Sequence, residues 1–332
     1  MKKVAFYSLH KFEKAILENA NNGRYALHFF EYRLSDETVS LSAGFEMISL
    51  FVNDDASASI LEILYRQGTR FIVLRSAGYN NVDMKKARDL GIRIARVPAY
   101  SPYAVAEHAV ALMMALNRKL IRANHRIRDL NFSLDGLTGF DMHGKTAGIA
   151  GTGKIGAIVA RILHGFGCRL LAYDKYENTE IKEKYGVVYT DFPTLCRESD
   201  IITLHVPLTD GTKYLINEKS MALMKPHLML INTSRGLLVN TSDVIQALKD
   251  QRVGYFGMDV YEEEEGLFFE DHSEEILQDD NIARLMSFQN VLITSHQAFL
   301  TDTALTNIAD TTVYNLDCFS KNAVCENEIV IK

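Results

Sequence analysis

The chain has 332 residues, 47% of them apolar, which is more than one hydrophobic core normally holds, so two domains are expected. Its 36 basic and 42 acidic side chains leave a formal net charge of −6 with the two signs mixed along the sequence. That distribution has no electrostatic footprint for DNA or RNA, and nucleic acid is excluded as a partner.

At the N-terminus, MKKVAFYSLHKFEK lacks the apolar core of an export signal. The runs KKVAFYS (2–8), ALHFFEYR (26–33), MISLFV (47–52), RFIVLR (70–75) and IRIARVP (92–98) are rich in β-branched and aromatic residues and read as strands, with helices between them such as 56–67 and 83–90. Next comes VPAYSPYAVAEHAVALMMALNRKLIRANHRIRD (97–129). Here Ser101 can cap a helix, Pro102 fits its first turn, and apolar residues recur at helical spacing, so one long helix is expected to open a second domain. Its most apolar part, Val105 to Leu116, is interrupted by Glu107 and His108 and falls short of the ~20 residues that span a bilayer, so no membrane segment is expected.

A second series of strands follows: TAGIAG (146–151), RLLAYD (169–174), VVYT (187–190), DIITLHVP (200–207), LMLINTS (228–234), YFGMDV (255–260) and NVLITSH (290–296), with helices such as 241–251 between them. Strand and helix alternating twice over predicts an α/β protein of two doubly wound parallel-sheet domains. After His296 only 36 residues remain, too few for a third core, yet Ala304 to Phe319 carries a helical apolar pattern that is expected to pack on the first domain. The expected domains are therefore 1–100 with 298–332, and 101–297. The chain would cross between them near Tyr100 and Gln297, leaving a cleft that can close on a substrate. The four cysteines, Cys168, Cys196, Cys318 and Cys325, form no CxxC pair, which points to structural thiols in a reducing cytoplasm and to no metal site.

TAGIAGTGKIGAIVARILHGFG places Gly151, Gly153 and Gly156 in a GxGxxG directly after a strand and at the start of an amphipathic helix. This order suits a dinucleotide: a tight turn, a backbone that the pyrophosphate can approach, and close packing of helix on strand. Asp174 ends the next strand 18 residues after Gly156, where a carboxylate can bind both ribose hydroxyls and repel a 2′-phosphate, so NAD rather than NADP is the expected cofactor.

Three further strand ends, NTSRG (232–236), MDVYEEEE (258–265) and ITSHQAF (293–299), hold polar residues that a plain core does not require. Ligands of open α/β sheets sit beyond the carboxyl ends of the strands, so the three can converge there. Reduction of a 2-oxo acid needs a proton donor for the developing alkoxide, and His296 suits that task. A carboxylate against the other ring nitrogen would fix its tautomer, and Glu264 fits, although spacing alone does not say which of the glutamates 262–265 faces inward. The planar guanidinium of Arg235 can grip a substrate carboxylate and carbonyl in one orientation.

From RSAGYNNVD through GTGKIG, HVPLT, NTSRG and DVYEEEE to SHQAF, the chain resembles the D-isomer-specific 2-hydroxyacid dehydrogenases over essentially its whole length. FVNDD, VPAYSP, AEHAV, NFSLDGLTGF and GLFFED bring it nearest to the branch of bacterial fermentative D-lactate dehydrogenases. The resemblance implies a Rossmann-type NAD domain and a flavodoxin-like substrate domain. It places the family's arginine on Arg235, its histidine on His296, and its glutamate, five positions after Asp259, on Glu264. It implies that Ser76, Ala77 and Gly78 bind the substrate carboxylate through backbone amides, with Tyr100 and Phe299 closing on the substrate. Around NAD it implies Lys154 and Ile155 beneath the pyrophosphate, Asp174 at the ribose, and Val206, Pro207, Thr212, Thr233, Ser234 and Asp259 about the remainder. The chain departs from the family in carrying Glu265 where proline often follows the loop glutamate.

The resemblance implies NADH-dependent reduction of pyruvate to D-lactate by a homo-oligomer, dimer or tetramer, associated through the cofactor domain. Two alternatives stand beside this: a reductase of another 2-oxo acid in the same family, and an NAD(H)-sensing corepressor. A proton-transferring pair disfavours formate oxidation, which needs no general acid.

Overall fold

The structure, a computed structural model, describes residues 1–330. The chain forms two compact units, one of Met1–Ser101 with Leu300–Lys332 (331 and 332 lying outside the described residues) and one of Pro102–Phe299.

The first unit holds five parallel strands: β1 (Lys3–Phe6), β2 (Ala26–Phe29), β3 (Met47–Leu50), β4 (Phe71–Leu74) and β5 (Arg93–Ala95), in the order β2-β1-β3-β4-β5. Both faces are covered, which is why these strands read as nearly continuous apolar runs. One face packs Ile48, Leu50, Ile72 and Leu74 on Ile60, Leu61 and Leu64 of the helix Ala58–Arg66. The other packs Val4, Phe6, Met47 and Val73 on Leu316 and Phe319 of the helix Asp302–Ser320. At the carboxyl end of this sheet Arg75 is 1% exposed. Its guanidinium donates to both carboxylate oxygens of Glu13, to Ser49 Oγ, and to the carbonyls of Tyr7 and Ser8, so it ties β1, β3 and β4 together just before Ser76.

The second unit holds seven parallel strands: β6 (Thr146–Ala150), β7 (Arg169–Tyr173), β8 (Val188–Tyr189), β9 (Ile201–Leu204), β10 (Leu228–Asn232), β11 (Val253–Met258) and β12 (Val291–Ile293). Their order is β12-β11-β10-β9-β6-β7-β8. Sequence neighbours β8 and β9 lie on opposite sides of β6, and that reversal of winding is where doubly wound sheets place a dinucleotide.

The expected single helix over the junction is two, Pro102–Asn117 and Leu120–Arg128, broken at Lys119, whose backbone is left-handed at φ 50°. The cause is tertiary. Asn117, 1% exposed, donates from Nδ2 to the Phe140 carbonyl and accepts the Phe140 amide on Oδ1, a pair of bonds that the intrahelical pattern could not satisfy. Among the described residues no helix is long and apolar enough to cross a membrane.

Candidate active site

The dinucleotide fingerprint closes β6 and opens the helix Lys154–Gly165. Gly151 has φ 96°, and a Cβ there would meet the backbone of His205 and Val206; one on Gly156 would overlap the carbonyl of Gly151. A Cβ on Gly153 would meet nothing within 4 Å, and no side chain caps the helix at this residue. The first and third glycines are thus demanded by packing and the second leaves the helix N-terminus open, a combination that fits a pyrophosphate on the amides of Lys154 and Ile155.

Asp174 follows β7 and turns back to this loop. Its Oδ2 accepts the amide of Thr152 at 2.6 Å and the Thr152 hydroxyl at 3.0 Å, and Oδ1 accepts the Tyr176 amide at 3.0 Å. Partial burial pushes this carboxyl up, but the donors outweigh it and hold it below the usual aspartate range, so it is a carboxylate at neutral pH. The neighbouring HVPLT segment places Val206 buried beside Ser234, whose hydroxyl donates to the Val206 carbonyl at 2.8 Å. Thr212 turns inward on its own loop, donating to the Pro207 carbonyl at 2.7 Å. The hydroxyl of Thr233 is buried without a hydrogen-bond partner among the described residues, an orphan donor that a bound cofactor can satisfy.

At the end of β10, Asn232 shapes the turn that carries Arg235: its Oδ1 accepts the Ser234 amide and its Nδ2 donates to the Arg235 carbonyl. Gly236 lies so close to Tyr261 that a Cβ would overlap that residue's carbonyl, which brings the Arg235 turn against the loop after β11.

That loop supplies Glu264, and the turn after β12 supplies His296. Nδ1 of His296 is 3.0 Å from Glu264 Oε1, while Oε2 of the same carboxylate accepts the Tyr261 amide at 3.1 Å. Of the glutamate run, Glu264 is the one against the imidazole; Glu262 accepts the amide of Thr241 instead. His296 has φ 47°, a left-handed conformation that costs a β-carbon residue about 1–3 kcal/mol and has to be held by its surroundings. Asp259 holds it. The Asp259 carbonyl accepts the His296 amide at 2.7 Å, and its carboxylate accepts the amides of Gln297 and Ala298, both at 2.8 Å.

Ser76 Oγ donates to the Gly78 carbonyl, and Arg96 donates to the Ala77 carbonyl, while the amides of Ala77 and Gly78 donate no hydrogen bond among the described residues. Tyr100 accepts on its carbonyl from Asn307 Nδ2 at 2.6 Å.

The NAD binding domain profile of the D-isomer specific 2-hydroxyacid dehydrogenases matches residues 110–298. A D-lactate dehydrogenase of Escherichia coli (strain K12) is 51% identical over 99% of this chain and 100% of its own. The chain belongs to the D-isomer specific 2-hydroxyacid dehydrogenases. Among solved structures, the pyruvate reductase of Chlamydomonas reinhardtii is 41% identical with a TM-score of 0.93, covering 98% of both chains. The D-lactate dehydrogenase of Aquifex aeolicus, complexed with NAD and lactic acid, is 33% identical with a TM-score of 0.88, covering 99% of both. As a D-isomer specific 2-hydroxyacid dehydrogenase, the chain is an oxidoreductase whose cofactor is NAD.

Several residues that shape this dehydrogenase site went unread in the sequence. Thr152 is the x between two fingerprint glycines and carries no signal of its own. Asn232 and Thr294 are small polar residues at strand ends, a place where such residues are ordinary. Phe269, whose ring centroid is 5.7 Å from that of His296, lies in GLFFED, a run with no chemical signal of its own. His108 reads in the sequence only as an interruption of an apolar helix.

Proposed function

We propose that the chain is a D-lactate dehydrogenase that reduces pyruvate with NADH. The observation that carries this reading is the His296–Glu264 pair at 3.0 Å, a proton-transfer couple at the carboxyl ends of the strands. NADH, when bound along Gly151, Gly153, Lys154, Ile155, Gly156 and Asp174, supplies the hydride for the carbonyl carbon. Val206, Pro207, Thr212, Thr233 and Ser234 line the rest of its path. Asp259, whose carboxylate accepts two amides of the turn after β12, borders the same path.

His296 gives its Nε2 proton to the carbonyl oxygen as that oxygen becomes the lactate hydroxyl. Glu264 keeps Nδ1 protonated and aimed, so the proton leaves from one defined nitrogen. Arg235 binds the substrate carboxylate and carbonyl through its fork. In the first unit, Ser76, Ala77 and Gly78 offer backbone amides to a carboxylate and Tyr100 bears on substrate size, as does Phe299 of the second unit. The first unit is accordingly assigned to substrate and the second to cofactor.

We further propose a cytoplasmic homo-oligomer, dimer or tetramer. Leu120, Ile121 and Ile127 on the helix Leu120–Arg128, with Leu130, Phe132 and Leu134 after it, are 51–80% exposed, and a second copy would cover them. Sedimentation of the purified chain tests this; a monomer at micromolar concentration rejects it.

Loss of NADH absorbance with pyruvate, 2-oxobutyrate, phenylpyruvate, glyoxylate and hydroxypyruvate in parallel, followed by chiral analysis of the product, tests the activity. Pyruvate dominant with D-lactate as product supports the reading. A bulkier acid dominant transfers it to another branch of the family, and turnover of none favours an NAD(H)-sensing protein.

A further inference from the structure

The helix Pro102–Asn117 carries a titratable residue that the proposed mechanism does not use. Nε2 of His108 lies 3.0 Å from Thr294 Oγ1 and 3.4 Å from Asp259 Oδ1, with the His108 side chain 17% exposed and that of Asp259 1%. Thr294 Oγ1 is itself 2.6 Å from Asp259 Oδ1 and donates to it. A hydroxyl has one proton. With that proton given to the carboxylate, Thr294 can only accept from His108, so Nε2 must carry a hydrogen.

The direction of the chain is then defined: His108 Nε2–H to Thr294 Oγ, Thr294 Oγ–H to Asp259. The same carboxylate takes the amides of Gln297 and Ala298, and the Asp259 carbonyl takes that of His296. Three successive amides therefore end on one residue, and they are those of the turn that holds His296 at φ 47°. A buried carboxylate is tolerated where hydrogen bonds fill its lone pairs, and His108 is the side chain that reaches this carboxylate from the helix, directly and through Thr294.

We propose that His108 is a positioning residue for His296, acting through Thr294 and Asp259. It anchors the clamp from the helix side, and the clamp in turn sets the place of the imidazole against Glu264. This rests on the reading of His296 as the proton donor. Removing the anchor leaves Thr294 without a donor and Asp259 without the imidazole beside its carboxylate, and loosening of the turn misplaces the reacting nitrogen.

The experiment compares His108→Ala, His108→Gln and Thr294→Val with the wild type in NADH-dependent pyruvate reduction, each also in a His296→Gln background. H108A and T294V are expected to lose about 10²-fold in kcat, the effect of an ångström-scale misplacement. H108Q, whose amide can still donate to Thr294, is expected to recover most of it. In the H296Q background H108A should cost little more, because residues acting through one another are not additive. Wild-type kcat in both H108A and T294V overturns the proposal, as does a loss that is fully additive with H296Q and is not restored by glutamine. A wild type inactive on every 2-oxo acid rejects the functional reading instead. The ¹⁵N imidazole resonances of His296 then decide the positioning role, which requires them to shift in H108A and stay in H108Q.

Discussion

Oδ2 of Asp174 accepts both the amide and the hydroxyl of Thr152, so the residue just after β7 is tied to the middle of the GTG turn just after β6. The cofactor fingerprint and its acidic partner are one hydrogen-bonded unit, and the charge on Asp174 stands beside the opening at Gly153.

That charge is expected to set the choice of nicotinamide cofactor. A 2′-phosphate would meet a carboxylate whose pKa is already held low by its donors, and repulsion at an effective dielectric near 20 amounts to a few kcal/mol at contact before screening. Asp174→Asn keeps an oxygen to accept from Thr152 while removing the charge. Its ratio of kcat/KM with NADH to that with NADPH is expected to fall by about tenfold or more. An unchanged ratio in steady-state kinetics counts against Asp174 as the discriminating group.

With Nδ1 of His296 against Glu264, Nε2 is the nitrogen expected to exchange the proton with substrate. His296→Gln is expected to lower kcat by about 10²- to 10⁴-fold, the usual worth of a positioned acid or base, and Glu264→Gln by less, since it removes orientation rather than the donor. The sign with pH follows from which form works. If His296 is the proton donor, pyruvate reduction takes a proton from the ring and lactate oxidation returns one, so kcat/KM is expected to show opposite pH trends in the two directions. Parallel profiles in the two directions, or normal turnover in H296Q, reject the assignment.

Gly236 answers to packing rather than to chemistry. A Cβ there would overlap the carbonyl of Tyr261, backbone that cannot swing aside, so Gly236→Ala has to part the β10 and β11 loops. The expected loss of stability is about 1–3 kcal/mol by urea unfolding, as for other overpacked sites. Because Arg235 is the preceding residue, KM for pyruvate is expected to rise more than KM for NADH. A variant as stable as wild type shows that the loops tolerate the separation.

Much of this architecture is legible in the amino-acid pattern. Each strand of both sheets overlaps one of the apolar runs, because central strands covered on both faces need mostly apolar side chains: all five residues of Thr146–Ala150 and of Leu228–Asn232 are buried. Arg235, Glu264 and His296 are legible as chemistry because such residues have no reason to end a buried strand. What is not legible is tertiary. The helix break at Lys119 depends on Asn117 meeting Phe140, and the selection of Glu264 from four glutamates depends on where the loop after β11 meets the turn after β12. The clamp by Asp259 on three consecutive amides is equally invisible, since its partners are backbone groups that every residue possesses.

His205 couples the cofactor domain to acid. Its Nε2 is 2.9 Å from Thr203 Oγ1, its amide donates to the Ala150 carbonyl, and its backbone lies against Gly151. Burial pulls the imidazole down to about 4, against about 6.5 for an unfolded chain, so the folded state binds this proton less readily than the unfolded state does. For a base whose folded pKa is lowered, the associated stability is complete above the unfolded value. It is lost progressively as pH falls from about 6.5 toward 4, and below that the loss levels off. Between pH 7 and 4.5 this one group removes about 2–3 kcal/mol. His205→Gln has no such titration, so the drop in unfolding free energy over that interval, measured by urea denaturation at the two pH values, is expected to be smaller in the variant by about that amount. Equal drops in variant and wild type would mean that the imidazole is protonated within the fold, and that acid acts on this domain through other groups.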